Sequence, residues 1–297
     1  MSAAVEQALE LIRDNRAESI DQALALLQNT VYSFSMKVCG HPEDAEDTTQ
    51  EVLLKSIPHL AKFESSRALA VWLYKVARNR CISNRRGDKN SHAKNISLDA
   101  LMPDGRELAE LLSHAPGPES ATLRRETSEH LRQAVLAVPP MYRMVLVLHD
   151  MEELSTAEVA QIMGLRPGTV RVRLHRARLL VRRYLSQLAK GNVPGTFQIH
   201  AAIEKREPRC RNLFAALSDY MDGVVDDAVC AEMDRHIEQC EPCQAFLANL
   251  KHAVEQCRLY EPGGQPQRAE DIRRELVAKY QQAVSALGTA RQPTTQM

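Results

Sequence analysis

The sequence predicts an all-α protein, and three observations carry that reading. Apolar residues recur at helical spacing along the 297-residue chain, as at Ala23, Leu26, Leu27 and Val31, and no stretch shows a strand's alternation. Aromatic residues are only 4% of the chain, with one tryptophan (Trp72), so the interior must come from leucine, alanine and valine. Apolar residues at 44% and charged residues at 26% allow a packed core and exclude wholesale disorder.

Breaks in the pattern divide the chain. Residues 1–90 form a first helical domain running from about Ala4 to Arg86, interrupted at Gly40-His41-Pro42 and near Ser65-Ser66. Residues 91–121 read as a linker containing Pro103, Gly105, Pro116, Gly117 and Pro118, with slight helical character at Glu107–Ser113. A second helical domain, 122–190, is interrupted at Pro139-Pro140, at Gly164 and at Pro167-Gly168. After a linker at 191–207, a short module at 208–261 holds five of the seven cysteines. Residues 262–297 then read as a C-terminal helix (about Ala269–Leu287) and a frayed tail.

Charge is distributed unevenly behind a net of zero. From Arg124 to Lys190 there are 12 basic against 6 acidic residues, and from Lys75 to Lys94 there are 7 against 1. From Cys210 to Glu261 the ratio reverses, 4 basic against 10 acidic. Two basic modules suit an anionic partner such as nucleic acid, and the acidic module suits a mask for them. No apolar run reaches the ~18 residues of a membrane span, and the acidic N-terminus carries no export signal, so a cytoplasmic location is expected. An odd number of cysteines there favours metal or redox chemistry over disulfides. No nucleophile–base constellation or phosphate-binding glycine loop appears, so the chain is not expected to be an enzyme.

In the second domain, Ser155-Thr156-Ala157-Glu158 forms a capping box, and the helix after it turns Val159, Ala160, Ile162 and Met163 inward until Gly164 ends it. Pro167 suits the first turn of the next helix, which carries Arg171, Arg173, Arg176 and Arg178 opposite Val170, Leu174 and Ala177. That is a helix-turn-helix whose arginines suit guanine edges and phosphates. The stretch Leu165–Arg178 resembles the −35-reading region 4.2 of extracytoplasmic-function sigma factors. The resemblance places Thr169, Arg171, Val172, Arg173, His175 and Arg176 at the DNA. Arg166 and Val172 stand where that family usually has serine; the first change weakens the helix cap, and the second offers an apolar contact to DNA.

A second resemblance to the same family lies upstream. His41–Val52 is similar to region 2.2, which docks on the polymerase β′ clamp, and sets Asp44, Asp47, Gln50 and Glu51 on an acidic helix. Ala70–Ile82 is similar to regions 2.3–2.4, which open and hold the −10 element. Lys75, Arg78, Arg80, Arg85 and Arg86 supply cations for a single strand, and by resemblance Asn79 and the loop Phe63–Leu69 line a base pocket. Trp72 either stacks a base or belongs to the core. Cys39 and Cys81 read as packing thiols.

The cysteine-rich module contains His236-x3-Cys240-x2-Cys243, a spacing that brings three zinc ligands together on a helix and the turn after it. A closed site needs a fourth ligand, for which Cys210, Cys230 and Cys257 are available. The segment from Cys210 through Leu217–Gly223 to Cys243 resembles the zinc-binding anti-sigma domain, and that resemblance selects Cys210.

The whole reads as an extracytoplasmic-function sigma factor with one Zn2+ in a fused anti-sigma-like domain. Its implied partners are core RNA polymerase (β′ clamp and β flap), promoter DNA at −35 and −10, and its own zinc domain, with no membrane. Two other readings remain open: an anti-sigma interaction module with an inert sigma-like part, and a plain helix-turn-helix regulator.

Overall fold

The computed structural model describes residues 3–14, 16–84, 96–103, 107, 121–189, 208–263 and 269–289. Among these residues there are helices and no strands. In chain order they are α1 (Ala3–Asp14), α2 (Ala17–Cys39), α3 (Pro42–Ser56), α4 (Ser66–Asn84), α5 (Ala121–Ala137), α6 (Pro140–Leu146), α7 (Thr156–Met163), α8 (Pro167–Ala189), α9 (Pro208–Met221), α10 (Asp227–Gln239), α11 (Glu241–Leu259) and α12 (Ala269–Thr289). Short 3-10 turns occupy Ile57–Lys62 and Asp99–Leu101, and a π turn occupies Val147–Met151. The chain forms two compact units: Met1–Asp88 with Glu261–Met297, and Lys89–Tyr260.

The first unit is a bundle of α1–α4 and α12. Gly40 ends α2 in the left-handed region at φ 78°, its N–H donating to the Met36 carbonyl at 2.9 Å, and Pro42 starts α3. Two breaks were not foreseen. Asp14 accepts hydrogen bonds from Arg16 Nε at 2.8 Å and Ser19 Oγ at 2.5 Å, a local arrangement that competes with helix continuation. Pro58, lacking an N–H, sits in the 3-10 turn after α3. Leu24, Leu27, Phe34, Leu53, Leu60, Leu69 and Leu73 are fully buried. The C-terminal helix, expected with its tail as a segment of its own at 262–297, belongs to this bundle. Its Ile272, Leu276 and Tyr280 lie on one face, are buried, and pack α12 against α2, α3 and Ile57–Lys62. Burying three such side chains contributes on the order of 5 kcal/mol before ordering costs.

In the second unit, α5–α8 form a helical core lined by Leu131, Val135, Val145, Leu148, Val170, Leu174, Ala177 and Leu180. The stretch expected as plain linker takes part: Ile96, Ala100 and Leu101 are buried, and Arg183 Nη1 donates to the Ala100 carbonyl at 3.2 Å. The helical character expected at Glu107–Ser113 lies outside the described residues except for Glu107. The capping box forms as anticipated. Ser155 Oγ accepts from the Glu158 N–H at 3.3 Å, and Glu158 Oε2 accepts from the Ser155 N–H at 2.8 Å. Gly164 takes φ 65° to close α7, and the four residues expected inside that helix, Val159, Ala160, Ile162 and Met163, are buried.

Ser155→Ala removes the acceptor for one N-terminal N–H and should lower stability by about 1 kcal/mol. Ser155→Asp should retain most of it. Denaturant midpoints of the three proteins check this, with amide exchange localising the loss to the first turn of α7.

Candidate functional site

Helix α8 has two distinct faces. Arg171, His175 and Arg178 point to one side, spaced by four and three residues, and α9 lies against it. Arg171 Nε is 4.0 Å from Asp219 Oδ1. His175 Nδ1 is 2.8 Å from Ser218 Oγ, with its ring edge-on to Phe214 at 5.7 Å. His175, expected at the DNA, is thus only 6% exposed. Burial first, and the Arg178 charge second, hold its imidazole down at about 4. On the other side, Thr169, Val172, Arg173 and Arg176 line an open groove with Met141, and Val172 is 49% exposed.

Arg178 corrects the expectation of a basic outer face most sharply, because its side chain is fully buried. Its guanidinium donates to Asp150 at 2.8 and 2.6 Å and to Asp222 at 2.9 Å twice. Burial alone would raise the Asp150 carboxyl, but Arg178 and then His149 more than offset it, to about 2. Burial likewise opposes the Arg178 charge, and the two carboxylates outweigh it and raise its pKa. Asp150 sits on the π turn before α7 and Asp222 just beyond α9, so one arginine joins the helix-turn-helix to the cysteine-rich module. Nearby, Arg182 is buried with its guanidinium 4.5 Å from the Phe246 ring centroid and paired with Glu107.

The ligand atoms of Cys210, His236, Cys240 and Cys243 lie within 4.8 Å of one another. His236 Nε2 is 3.6 Å from Cys210 Sγ and 3.4 Å from Cys243 Sγ. Zinc held at ~2.3 Å by sulfur and ~2.0 Å by nitrogen in a tetrahedron separates its ligands by about 3.5 Å, so these four fit the ion. Of the three candidates for fourth ligand, Cys210 is the one in place. Cys230 lies instead by Asp234 and Cys257 is buried elsewhere. Cys240 is not on a helix as the spacing suggested. It occupies the break between α10 and α11 with φ −123° and ψ 92°, and Cys243 follows in the first turn of α11. Burial, followed by the adjacent thiols, pushes the Cys243 thiol well above its ordinary range, a crowding that a bound cation relieves.

In the first unit, α3 presents Asp47 exposed and Asp44 half-buried. Glu51 accepts from Lys55 Nζ at 2.7 Å and pairs with Arg80 Nε at 2.9 Å; the Lys55 bond lowers its carboxyl. Gln50 Nε2 donates to Glu275 Oε2 of α12 at 3.2 Å, and Arg273 Nε is 3.1 Å from Asp21. Reading motif by motif missed this cover, although Ile272, Leu276 and Tyr280 carry its signal at four-residue spacing. Trp72 is half-buried, its ring centroid 5.9 Å from those of both Phe63 and His59. Lys75 and Asn79 are exposed, and Arg78 Nη1 donates to Asn79 Oδ1 at 2.9 Å. Arg85 and Arg86 lie outside the described residues.

Comparison with known proteins matches these parts in order. The family model for sigma-70 region 2 covers residues 24–90, that for sigma-70 region 4 covers 128–181, and a zinc-finger family model covers 210–244. The chain is similar to the ECF RNA polymerase sigma factor SigW of Bacillus subtilis (strain 168), 26% identical over 189 residues, which are 63% of this chain and 100% of the relative. It is 30% identical over 135 residues to the ECF RNA polymerase sigma-E factor of Escherichia coli (strain K12), covering 46% of this chain and 70% of that protein. It is 29% identical over 171 residues to ECF RNA polymerase sigma factor SigE of Mycolicibacterium smegmatis, covering 57% and 62%.

The purified chain should carry about one zinc, since one tetrahedral ligand set is present. Metal analysis after gel filtration should show that Cys210→Ser loses it and Cys230→Ser keeps it. The contact of α9 with α8 should also weaken in acid. His175 titrates at about 4 when covered and near ~6.5 when free, so the released state binds more protons between those values. The stabilisation is fully present above pH ~6.5 and is lost as pH falls toward ~4, up to about 3 kcal/mol. Amide protection of α9 should therefore drop from pH 7 to pH 5, and His175→Gln should flatten that drop.

Proposed function

Because the chain belongs to the extracytoplasmic-function family of RNA polymerase sigma factors, we propose that it directs core polymerase to its promoters and restrains itself through its own C-terminal segment. In this reading the acidic helix α3 docks on the β′ clamp through Asp44, Asp47, Gln50 and Glu51, and the second unit's helix-turn-helix sits by the β flap. Helix α4 captures the opened −10 strand, with Lys75, Arg78 and Arg80 on its backbone and Asn79 and the Phe63–Trp72 edge at a base. Helix α8 reads −35 through Arg171, Arg173 and Arg176, with Thr169 and Val172 beside them. The chain performs no chemistry of its own and acts in the cytoplasm; no helix among the described residues is long and apolar enough to cross a membrane.

One observation carries the restraint: α9 covers the Arg171–His175–Arg178 side of the −35 helix with Asp219, Ser218 and Asp222. A helix in that state cannot enter the major groove with its full width. The C-terminal helix supports the same reading on the first unit, since Glu275 occupies Gln50 on the face assigned to polymerase. Zinc holds the start of α9 to the α10–α11 junction when bound. Its thiolates are open to oxidants and to competing soft metals, either of which is then the releasing signal.

Run-off transcription with core polymerase tests this. Asp222→Arg, which places a cation beside Arg178, and a chain ending at Lys190 should each raise output from the cognate promoter roughly tenfold or more, the equivalent of ~1.4 kcal/mol of lost contact. Equal output from full-length and altered proteins rules out a brake. A silent truncated chain would make the module an activator.

A further inference from the structure

Two cysteines of the first unit are used by neither the zinc site nor the promoter-binding faces. Cys39 is the last residue of α2, and Cys81 begins the last turn of α4. They are 7% and 2% exposed, and their sulfur atoms are 3.2 Å apart. A covalent S–S bond is ~2.0 Å long, so joining the two needs a closure of about 1 Å. The metal-binding cluster found among the described residues is the Cys210–Cys243 set, which includes neither thiol. The 3.2 Å separation of the two sulfurs is what suits the pair to oxidation.

We propose that Cys39 and Cys81 form a dithiol site oxidised by peroxides to an intramolecular disulfide, separate from the zinc thiolates. In the first step the sulfur of one cysteine, as thiolate, attacks a peroxide oxygen. The O–O bond breaks, leaving a sulfenic acid and, once protonated, water. The second sulfur then attacks the sulfenic sulfur, the S–S bond forms, and the hydroxyl leaves as a second water. Two thiols and one hydrogen peroxide give one disulfide and two waters. Both cysteines lie in terminal turns, where helix hydrogen bonds are fewest and opening costs least, which is how a molecule as small as peroxide reaches them. The bond ties the end of α4, just beyond Asn79 and Arg80, to the end of α2. It also closes a long loop that contains all of α3.

The test uses the zinc-loaded full-length chain. The protein is treated with a few equivalents of hydrogen peroxide, its remaining thiols are alkylated in denaturant, and its proteolytic peptides are weighed. The expected product is a Cys39 peptide joined to a Cys81 peptide, lighter by two hydrogens and separated by a reductant. The oxidised protein should show a first-unit melting temperature higher by on the order of 10 °C, reversed by dithiothreitol and missing in Cys39→Ala with Cys81→Ala. If that double variant does not fold, the peptide analysis of the unaltered chain still decides. Alkylation of both cysteines at a dose that already releases zinc overturns the proposal. So does their appearance as separate sulfinic acids or in disulfides to the zinc ligands.

Discussion

The second unit is organised around the charge on Arg178. A buried guanidinium is costly unless it is paired and hydrogen-bonded, and here two carboxylates from different parts of the chain accept four hydrogen bonds from it. The two partners are not equivalent. Asp150 is wholly buried within the helix-turn-helix itself, whereas Asp222 arrives from α9 and keeps 17% of its surface in solvent. Withdrawing Asp222 leaves Arg178 still gripped through two donors by Asp150. The helix-turn-helix therefore holds a partner for its buried cation that does not depend on α9.

Helix α9 connects that cation to the Cys210–His236–Cys240–Cys243 cluster. Its 14 residues span about 20 Å, with Cys210 in the first turn and Asp222 just past the last. Phe214, between them, meets the His175 ring edge-on on one side and the Phe246 ring at a tilt on the other. Anchoring Cys210 thus sets where Asp219 and Asp222 fall along α8. Helices α9 and α11 bury Leu213, Phe214, Leu217, Phe246, Leu247, Leu250 and Val254, whereas α10 buries Met233, so α10 is the helix that depends most on the cysteine–histidine cluster.

Local chemistry was the legible part of the sequence. The capping box at Ser155, the glycine at Gly164 and the inward residues of α7 and α8 depend on neighbours within a turn or two, and the structure has them as read. The zinc spacing was legible for the same reason, apart from the helix break at Cys240. The fates of Arg178 and His175 were not, since a basic helix looks alike whether its arginines face solvent or distant carboxylates. The partners of Arg178 lie 28 and 44 residues away, and Ser218 lies 43 from His175. Helix α12 falls between these cases. Its apolar stripe was visible, but no sequence rule says that it returns to the first unit.

That return means that the first unit is made from two stretches with the whole of the second between them. Helices α1–α4 leave the ribosome before the second unit is made, and α12 leaves only after it. At roughly 5–20 residues per second, translating the intervening stretch takes on the order of ten seconds or more. During that interval Ile272, Leu276 and Tyr280 are not yet available to α2, α3 and Ile57–Lys62. The core of the first unit is therefore completed only after the whole of the second has been synthesised.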